Sequence, residues 1–246
     1  MSILCYHAVD PRWSSRLSVP PELFERHCLW LARNRRVMPL DEVSLLVGPR
    51  GSLAGKRSAI TFDDGFESLY THAWPLLRRH RLPATIFLVA QTLAPEGKQV
   101  DWAAGPPGRA LTTLDTEQIL EMQAAGISFG SHSYAHRDLV DLSDEDCERD
   151  LRMSRDLLEE LLGRPVRTLA YPRGLHDQRV HRATARAGFE FAFGTSKPVD
   201  PPGPLAIPRI GVYPNNQAMS LRLKSSRLYP PVRTSRAWPT RRSSGR

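Results

Sequence analysis

The run Ala59-Ile60-Thr61-Phe62-Asp63-Asp64-Gly65 constrains this chain more than any other stretch. Apolar residues end abruptly in two adjacent carboxylates and a glycine. A strand that stops this way sets acidic side chains at its C-terminal edge, where open α/β sheets place their ligands. Neighbouring residues on a strand point to opposite faces. The turn after a strand end lets both carboxylates reach one site in different roles.

Further along stands Ser131-His132-Ser133-Tyr134-Ala135-His136. The spacing of its two histidines predicts neighbours on one helical turn. Two imidazoles and a carboxylate form a ligand set that leaves positions open for water and substrate.

The rest of the pattern alternates strand and helix. Ile3 to His7 reads as a short buried strand that ends in a histidine, and Pro20-Pro21-Glu22 opens a helix. Val37 to Leu40 is extended, and Asp41 is placed to cap a helix through Leu46. Gly48 to Gly55 reads as a loop. Arg57 to Phe62 is the acidic-pair strand, and Phe66 to His80 reads as helical despite Pro75. Ala84 to Val89 is a central parallel strand. The glycine- and proline-rich segment from Ala94 to Arg109 sits where a substrate-gripping loop belongs, and its Trp102 is either a sugar-stacking face or an anchor for its own loop. Asp115 and Ser143 cap helices that stop at Gly126 and Gly163. Ile127 to Gly130, Val166 to Tyr171, Phe189 to Phe193 and Ile207 to Val212 are further strands, with a helix over Val180 to Ala187. This alternation predicts one parallel barrel or sheet spanning residues 1–220 as a single α/β domain.

Composition excludes several classes. A chain of 246 residues holds one sizeable domain. No apolar run approaches the ~20 residues that span a bilayer. The first residues lack a basic stretch followed by an apolar core, so the expected location is cytoplasmic, with membrane-peripheral contact open. Cys5, Cys28 and Cys147 are scattered in no metal or redox spacing and read as reduced thiols, either small core residues or inert surface ones. The net charge of +8 is not a nucleic-acid signature, because all of it lies in residues 221–246. Arg222, Lys224, Arg227, Arg233, Arg236, Arg241, Arg242 and Arg246 stand there without one acid. That Ser- and Pro-containing tail is expected to be disordered, with weak contact to anionic lipid or polyanion at most and no specific nucleic acid.

Thr61-Phe62-Asp63-Asp64-Gly65 followed by His132-Ser133-Tyr134-Ala135-His136, with Leu169-Ala170-Tyr171-Pro172-Arg173-Gly174 beyond, resembles the polysaccharide deacetylase family and its NodB-homology domain over roughly residues 1–215. The resemblance implies a distorted (β/α)7 barrel, which periodicity alone could not select. It implies that Asp64, His132 and His136 hold a divalent metal and that Asp63 is the general base. Zinc suits such a set; cobalt, nickel and iron are also compatible. A metal of this kind lowers the pKa of water and polarises a carbonyl. The implied reaction removes an N-acetyl group from an amino sugar in a glycan or glycolipid.

Two departures from the family pattern matter. Relatives carry an arginine that orients the base where this chain has Ala170. Arg209, in Ile207-Pro208-Arg209-Ile210, or Arg173 stands as its replacement, and Arg173 also retains the backbone donor of the oxyanion site. The Leu-x-x-His segment that supplies the general acid in relatives is missing. His7, at the end of the first strand, is the expected acid, while His176 and His181 read as surface residues. Three alternatives stay open: a related C–N hydrolase acting on a formyl group or cyclic amide, an inactive metal-binding member, and a polyanion binder working through its tail.

Overall fold

The computed structural model describes residues 2–45, 56–195 and 203–224. Among the described residues ten strands run in chain order: β1 (Ser2–Tyr6), β2 (Ala8–Val9), β3 (Ser18–Val19), β4 (Arg36–Val37), β5 (Arg57–Phe62), β6 (Thr85–Leu88), β7 (Ser128–Ser131), β8 (Thr168–Ala170), β9 (Phe191–Thr195) and β10 (Ile207–Gly211). The α-helices are α1 (Pro21–Asn34), α2 (Leu40–Leu45), α3 (Trp74–Arg79), α4 (Thr116–Ala124), α5 (Asp144–Leu162), α6 (Gln178–Arg186) and α7 (Ala218–Lys224).

Seven of the described strands close into a parallel barrel. β1 pairs with β5 from Ser2↔Ser58 to Tyr6↔Phe62 and with β10 at Leu4↔Ile210, while β6, β7, β8 and β9 complete the ring. The distortion is local. β4 pairs with β5 only at Arg57 and Ser58, and β6 takes over from Thr61 onward. The barrel is the distorted (β/α)7 form expected for the chain.

Period-2 alternation sorts the barrel interior into two layers. Ile3, Ala59, Phe87, Ala170, Phe193 and Ile207 fill one end, and Met38 and Leu40 plug it. Two residues further along three of these strands come Cys5, Thr61 and Arg209, all buried. Hydrophobic layer and polar layer therefore share the same inward faces, and the polar one lies toward the C-terminal strand ends. Gly130 is required on the inner face of β7: a Cβ there would lie 2.5 Å from Thr168 Oγ1 and 2.8 Å from the Phe87 ring. Outside the barrel, Leu23, Phe24 and Leu31 of α1, Ile119 and Met122 of α4, and Leu151 and Leu158 of α5 pack on the strands.

The helix signals translate into structure. Asp115 accepts from the Gln118 N–H in a reciprocal capping box, and Ser143 accepts from the Asp146 N–H. Gly163 ends α5 in the left-handed conformation, φ +63°. Other expectations shift. Asp41 lies inside the first turn of α2 instead of capping it. The helix expected from Phe66 begins as a wide π-helical stretch over Leu69–Ala73 and becomes α3, with Pro75 near its start. The ladder widens just before the proline, where the Trp74 N–H donates to Leu69 O five residues back, and Pro75 itself has no N–H to donate into the run. The boundary at residue 220 falls inside α7. Leu221 is buried, and the Lys224 ammonium donates to Gly211 O at 2.6 Å and to Asn216 Oδ1 at 2.7 Å. Residues 221–224 thus belong to the domain. The expected disorder of 225–246 and the loop over 48–55 lie outside the described residues, as does Leu46. Among the described residues no helix is long and apolar enough to cross a membrane.

Candidate active site

The C-terminal ends of β5 and β7 bring the two motifs together. Asp63 extends the ladder by one step, its N–H donating to Tyr6 O at 3.0 Å. The chain then turns left-handed at Asp64 (φ +69°) and Gly65 (φ +62°). That turn aims consecutive carboxylates at different partners inside one site. Gly65 is needed both for its φ and for space, since a Cβ would sit 2.7 Å from Leu88 Cδ2.

The second motif is not the helical turn its spacing suggests. His132 continues β7, its N–H donating to Leu88 O at 2.7 Å, and the chain then takes positive φ at Ser133 (+69°) and His136 (+56°). Side chains hold this loop. Ser131 Oγ accepts from the Ser133 N–H at 3.1 Å, and Ser133 Oγ accepts from the His136 N–H at 3.0 Å. Asp150, buried on α5, accepts from the N–H groups of Tyr134 (2.8 Å) and Ala135 (3.3 Å). Sequence reasoning missed Asp150. Its signal was an acid on the same buried helix face as Leu151 and Leu158. Five described non-glycine residues have positive φ, and four of them, Asp64, Ser133, His136 and Arg173, stand at this site. Each costs on the order of 1–3 kcal/mol, so the fold spends backbone strain here to aim side chains.

Asp64 Oδ1 lies 3.5 Å from His132 Nε2 and 3.3 Å from His136 Nε2, and all three residues are buried. His132 Nδ1 is 2.7 Å from Ala170 O. A carbonyl only accepts, so the ring proton is on Nδ1 and a neutral ring presents a lone pair at Nε2. Burial pushes His132 down to about 4, which keeps it neutral. A lone pair then faces a carboxylate oxygen in a buried place. Burial pushes Asp64 up, but the imidazoles of His136, His7 and His132 outweigh it, so its carboxyl is held below its ordinary range. Two acceptors facing each other call for a cation between them, and this donor set suits a divalent one.

Asp63 points the other way. Arg209 reaches it from the inner face of β10, with Nη1 at 2.6 Å from Oδ1 and Nη2 at 2.7 Å from Oδ2. Arg209 also donates to Thr61 Oγ1 at 3.2 Å. The Cys5 thiol donates to Asp63 Oδ2 at 3.3 Å. Burial works against ionisation of Asp63, yet the charge and hydrogen bonds of Arg209 hold it well below the ordinary carboxylate range.

Of the two arginines considered for orienting Asp63, the structure places Arg209 on it. Arg173 turns its guanidinium to Asp138 (Nε to Oδ1, 2.8 Å) and lines the cleft from the side. Ala170 contributes its carbonyl to His132. His7 lines the cleft, and one of its ring nitrogens, Cys5 Sγ and an Asp63 oxygen lie within 4.8 Å of one another. His7 Nδ1 is buried with no hydrogen-bond partner among the described residues. His176 is buried rather than a surface residue: it pairs with His181 (Nδ1 to Nε2, 2.9 Å) beside Tyr171, outside the cluster. The cleft over the site measures about 530 Å³ and also receives Arg16, Trp102 and Tyr213.

A poly-beta-1,6-N-acetyl-D-glucosamine N-deacetylase from Staphylococcus aureus is 24% identical over 205 residues, covering 78% of this chain and 67% of that protein. The chain spans about two thirds of the curated relatives it matches, 61% of a Staphylococcus epidermidis protein and 64% of one from Bacillus subtilis. IcaB from Ammonifex degensii superposes with a TM-score of 0.76 at 26% identity, over 91% of this chain and 96% of that one. The Streptococcus pyogenes deacetylase PplD shares the fold, with a TM-score of 0.76 at 24% identity over 92% of this chain and 98% of that one. The polysaccharide deacetylase profile matches residues 50–192, more than half of the sequence, and the chain belongs to that family.

Proposed function

We propose that this chain is a metal-dependent N-deacetylase acting on an N-acetylated amino sugar within a glycan of the poly-N-acetylglucosamine type. The observation that carries the reading is the division of labour between adjacent carboxylates. Asp64 faces two imidazoles whose donors suit a divalent cation, and Asp63, held ionised by Arg209, stands beside them without a metal-ligand role. The names borne by the staphylococcal relatives supply the glycan. The size of the cleft suits a short stretch of sugar.

Asp64, His132 and His136 would hold the cation, zinc being the best match to the donors. When bound, such an ion polarises the acetamide carbonyl and acidifies water. Asp63 takes the water proton as that water attacks the carbonyl carbon. Arg209 fixes the carboxylate so that it meets this water in one orientation. His7, which lines the same cleft with a ring nitrogen within 4.8 Å of an Asp63 oxygen, delivers a proton to the sugar nitrogen as the C–N bond breaks. Acetate and a free amine leave. The alanine at 170 is the ground for an inactive member; Arg209, reaching Asp63 from β10, supports the active reading instead.

The test is acetate release from N-acetylglucosamine oligomers by purified protein. Activity should vanish on chelation, return with Zn²⁺ or Co²⁺, and be lost in Asp63→Asn while that variant still takes up metal. Full activity in the chelated protein, or in Asp63→Asn, would refute the reading.

A further inference from the structure

The two imidazoles of the site are held in different ways. His132 is fixed through its second nitrogen by Ala170 O. His136 Nδ1 is buried and has no hydrogen-bond partner among the described residues. Metal-ligating histidines are ordinarily oriented by a hydrogen bond at the nitrogen that does not bind metal. Something else must set the plane of His136.

Trp102 does so in this structure. Its ring stacks on His136 with centroids 4.8 Å apart and planes at 20°. Its indole N–H donates to Asp64 Oδ1 at 3.1 Å, the same oxygen that faces both histidine Nε2 atoms. One side chain therefore contacts two of the three candidate ligands. Trp102 is itself pinned by its neighbour Lys98. The Lys98 ammonium lies 5.7 Å from the Trp102 ring centroid, donates to Ala135 O at 2.8 Å and pairs with Asp101 at 3.3 Å. The backbone carrying His136 is thus tied to the loop carrying Trp102.

We infer that Trp102 is a positioning residue for the cation site: its N–H orients Asp64 and its face sets the plane of His136. The inference rests on the metal reading above and adds to it the residue that supplies the missing orientation. The indole thereby gives one of its faces to the protein rather than to a sugar. A residue of this kind acts on cation affinity and geometry. Removing such partners typically costs 10–100-fold in metal affinity.

The test compares Co²⁺ binding to wild type, Trp102→Phe, Trp102→Ala and Trp13→Phe, by competition with a chromophoric chelator and by the visible absorption of the bound ion. Trp13 anchors the same loop through Nε1 to Ala104 O at 3.1 Å. It belongs to neither the ligand set nor the contacts just described, so it reports loop loosening alone. We expect affinity to fall about 10–100-fold in Trp102→Ala and less in Trp102→Phe, which keeps a stacking ring. The absorption band should change in both, while Trp13→Phe keeps the wild-type band. Trp102 variants that bind Co²⁺ as tightly as wild type, or tighter, with an unchanged band overturn the inference and leave the metal reading standing. A band altered equally in Trp13→Phe overturns it too, by tracing the effect to the loop. Failure of wild type itself to take up Co²⁺ overturns both.

Discussion

Arg209 and Asp63 meet fork to fork, two hydrogen bonds of 2.6 and 2.7 Å between a guanidinium and a carboxylate that are both buried. Neither residue is tolerable there without the other. Removing one partner of a buried pair leaves an uncompensated charge, which typically costs 3–5 kcal/mol. Arg209→Met should therefore lower unfolding free energy in urea by about that amount, and adding Asp63→Asn to it should recover part of the loss. Arg209→Lys keeps the charge but not the two-pronged geometry. It should fold and lose most of its deacetylase activity. A Lys variant with wild-type activity would show that orientation of Asp63 is unimportant.

His7 is argued as the acid that protonates the leaving amine. His7→Gln should cut turnover by about 100-fold or more, the range expected for losing a general acid. It should leave Co²⁺ affinity unchanged, because His7 is not in the ligand set. The sharper readout uses acetanilides with progressively better leaving groups. The deficit should shrink as the leaving amine needs its proton less. A deficit that is constant across the series would move the acid elsewhere.

Much of this site was legible before any coordinates, and the reason is local. Asp63, Asp64 and Gly65 announce themselves because a strand end and its turn lie within a few residues. Arg209 could be proposed because it is an arginine within the strand-like run Ile207-Pro208-Arg209-Ile210. Sequence could not choose between Arg209 and Arg173. That choice depends on strand order around the barrel, where β10 closes against β1 beside β5. The helical reading of His132 and His136 failed for the same kind of reason. Spacing of four residues suits a helix, but Ser131, Ser133 and Asp150 hold the backbone in left-handed turns instead. Trp102 was visible as a loop tryptophan. Its bond to Asp64 was not, because the loop lies far from both motifs in sequence.

Asp150 tests how far that loop geometry matters. Asp150→Ala strands the N–H groups of Tyr134 and Ala135, each worth about 1–3 kcal/mol when left buried and unpaired. The protein should lose stability on that order. His136 follows Ala135 directly, so Co²⁺ affinity should fall as well, even though Asp150 is no ligand. Equal stability with intact metal binding would mean that the two serines alone hold the loop.

The metal-free protein should lose stability on acidification in two separable stages. In the unfolded chain His132 takes up a proton near its ordinary value of 6.5, whereas burial holds the folded residue neutral down to about 4. Between those values the unfolded state binds more protons, so stability falls as pH drops across that window. His27, which burial also pushes down, adds to the same slope from another part of the fold. Asp63 and Asp64 act later. Both are held below their ordinary value of 3.8, so the stability they contribute persists above it and is lost as pH falls further. Urea midpoints measured in chelator from pH 7 to pH 3 should show the first decline, and His132→Gln should flatten it; the second should persist but weaken, because His132 also helps to hold Asp63 and Asp64 down. A slope identical in His132→Gln would mean that the ring is protonated in the folded state, and with it would go the lone pair that makes this cluster a metal site.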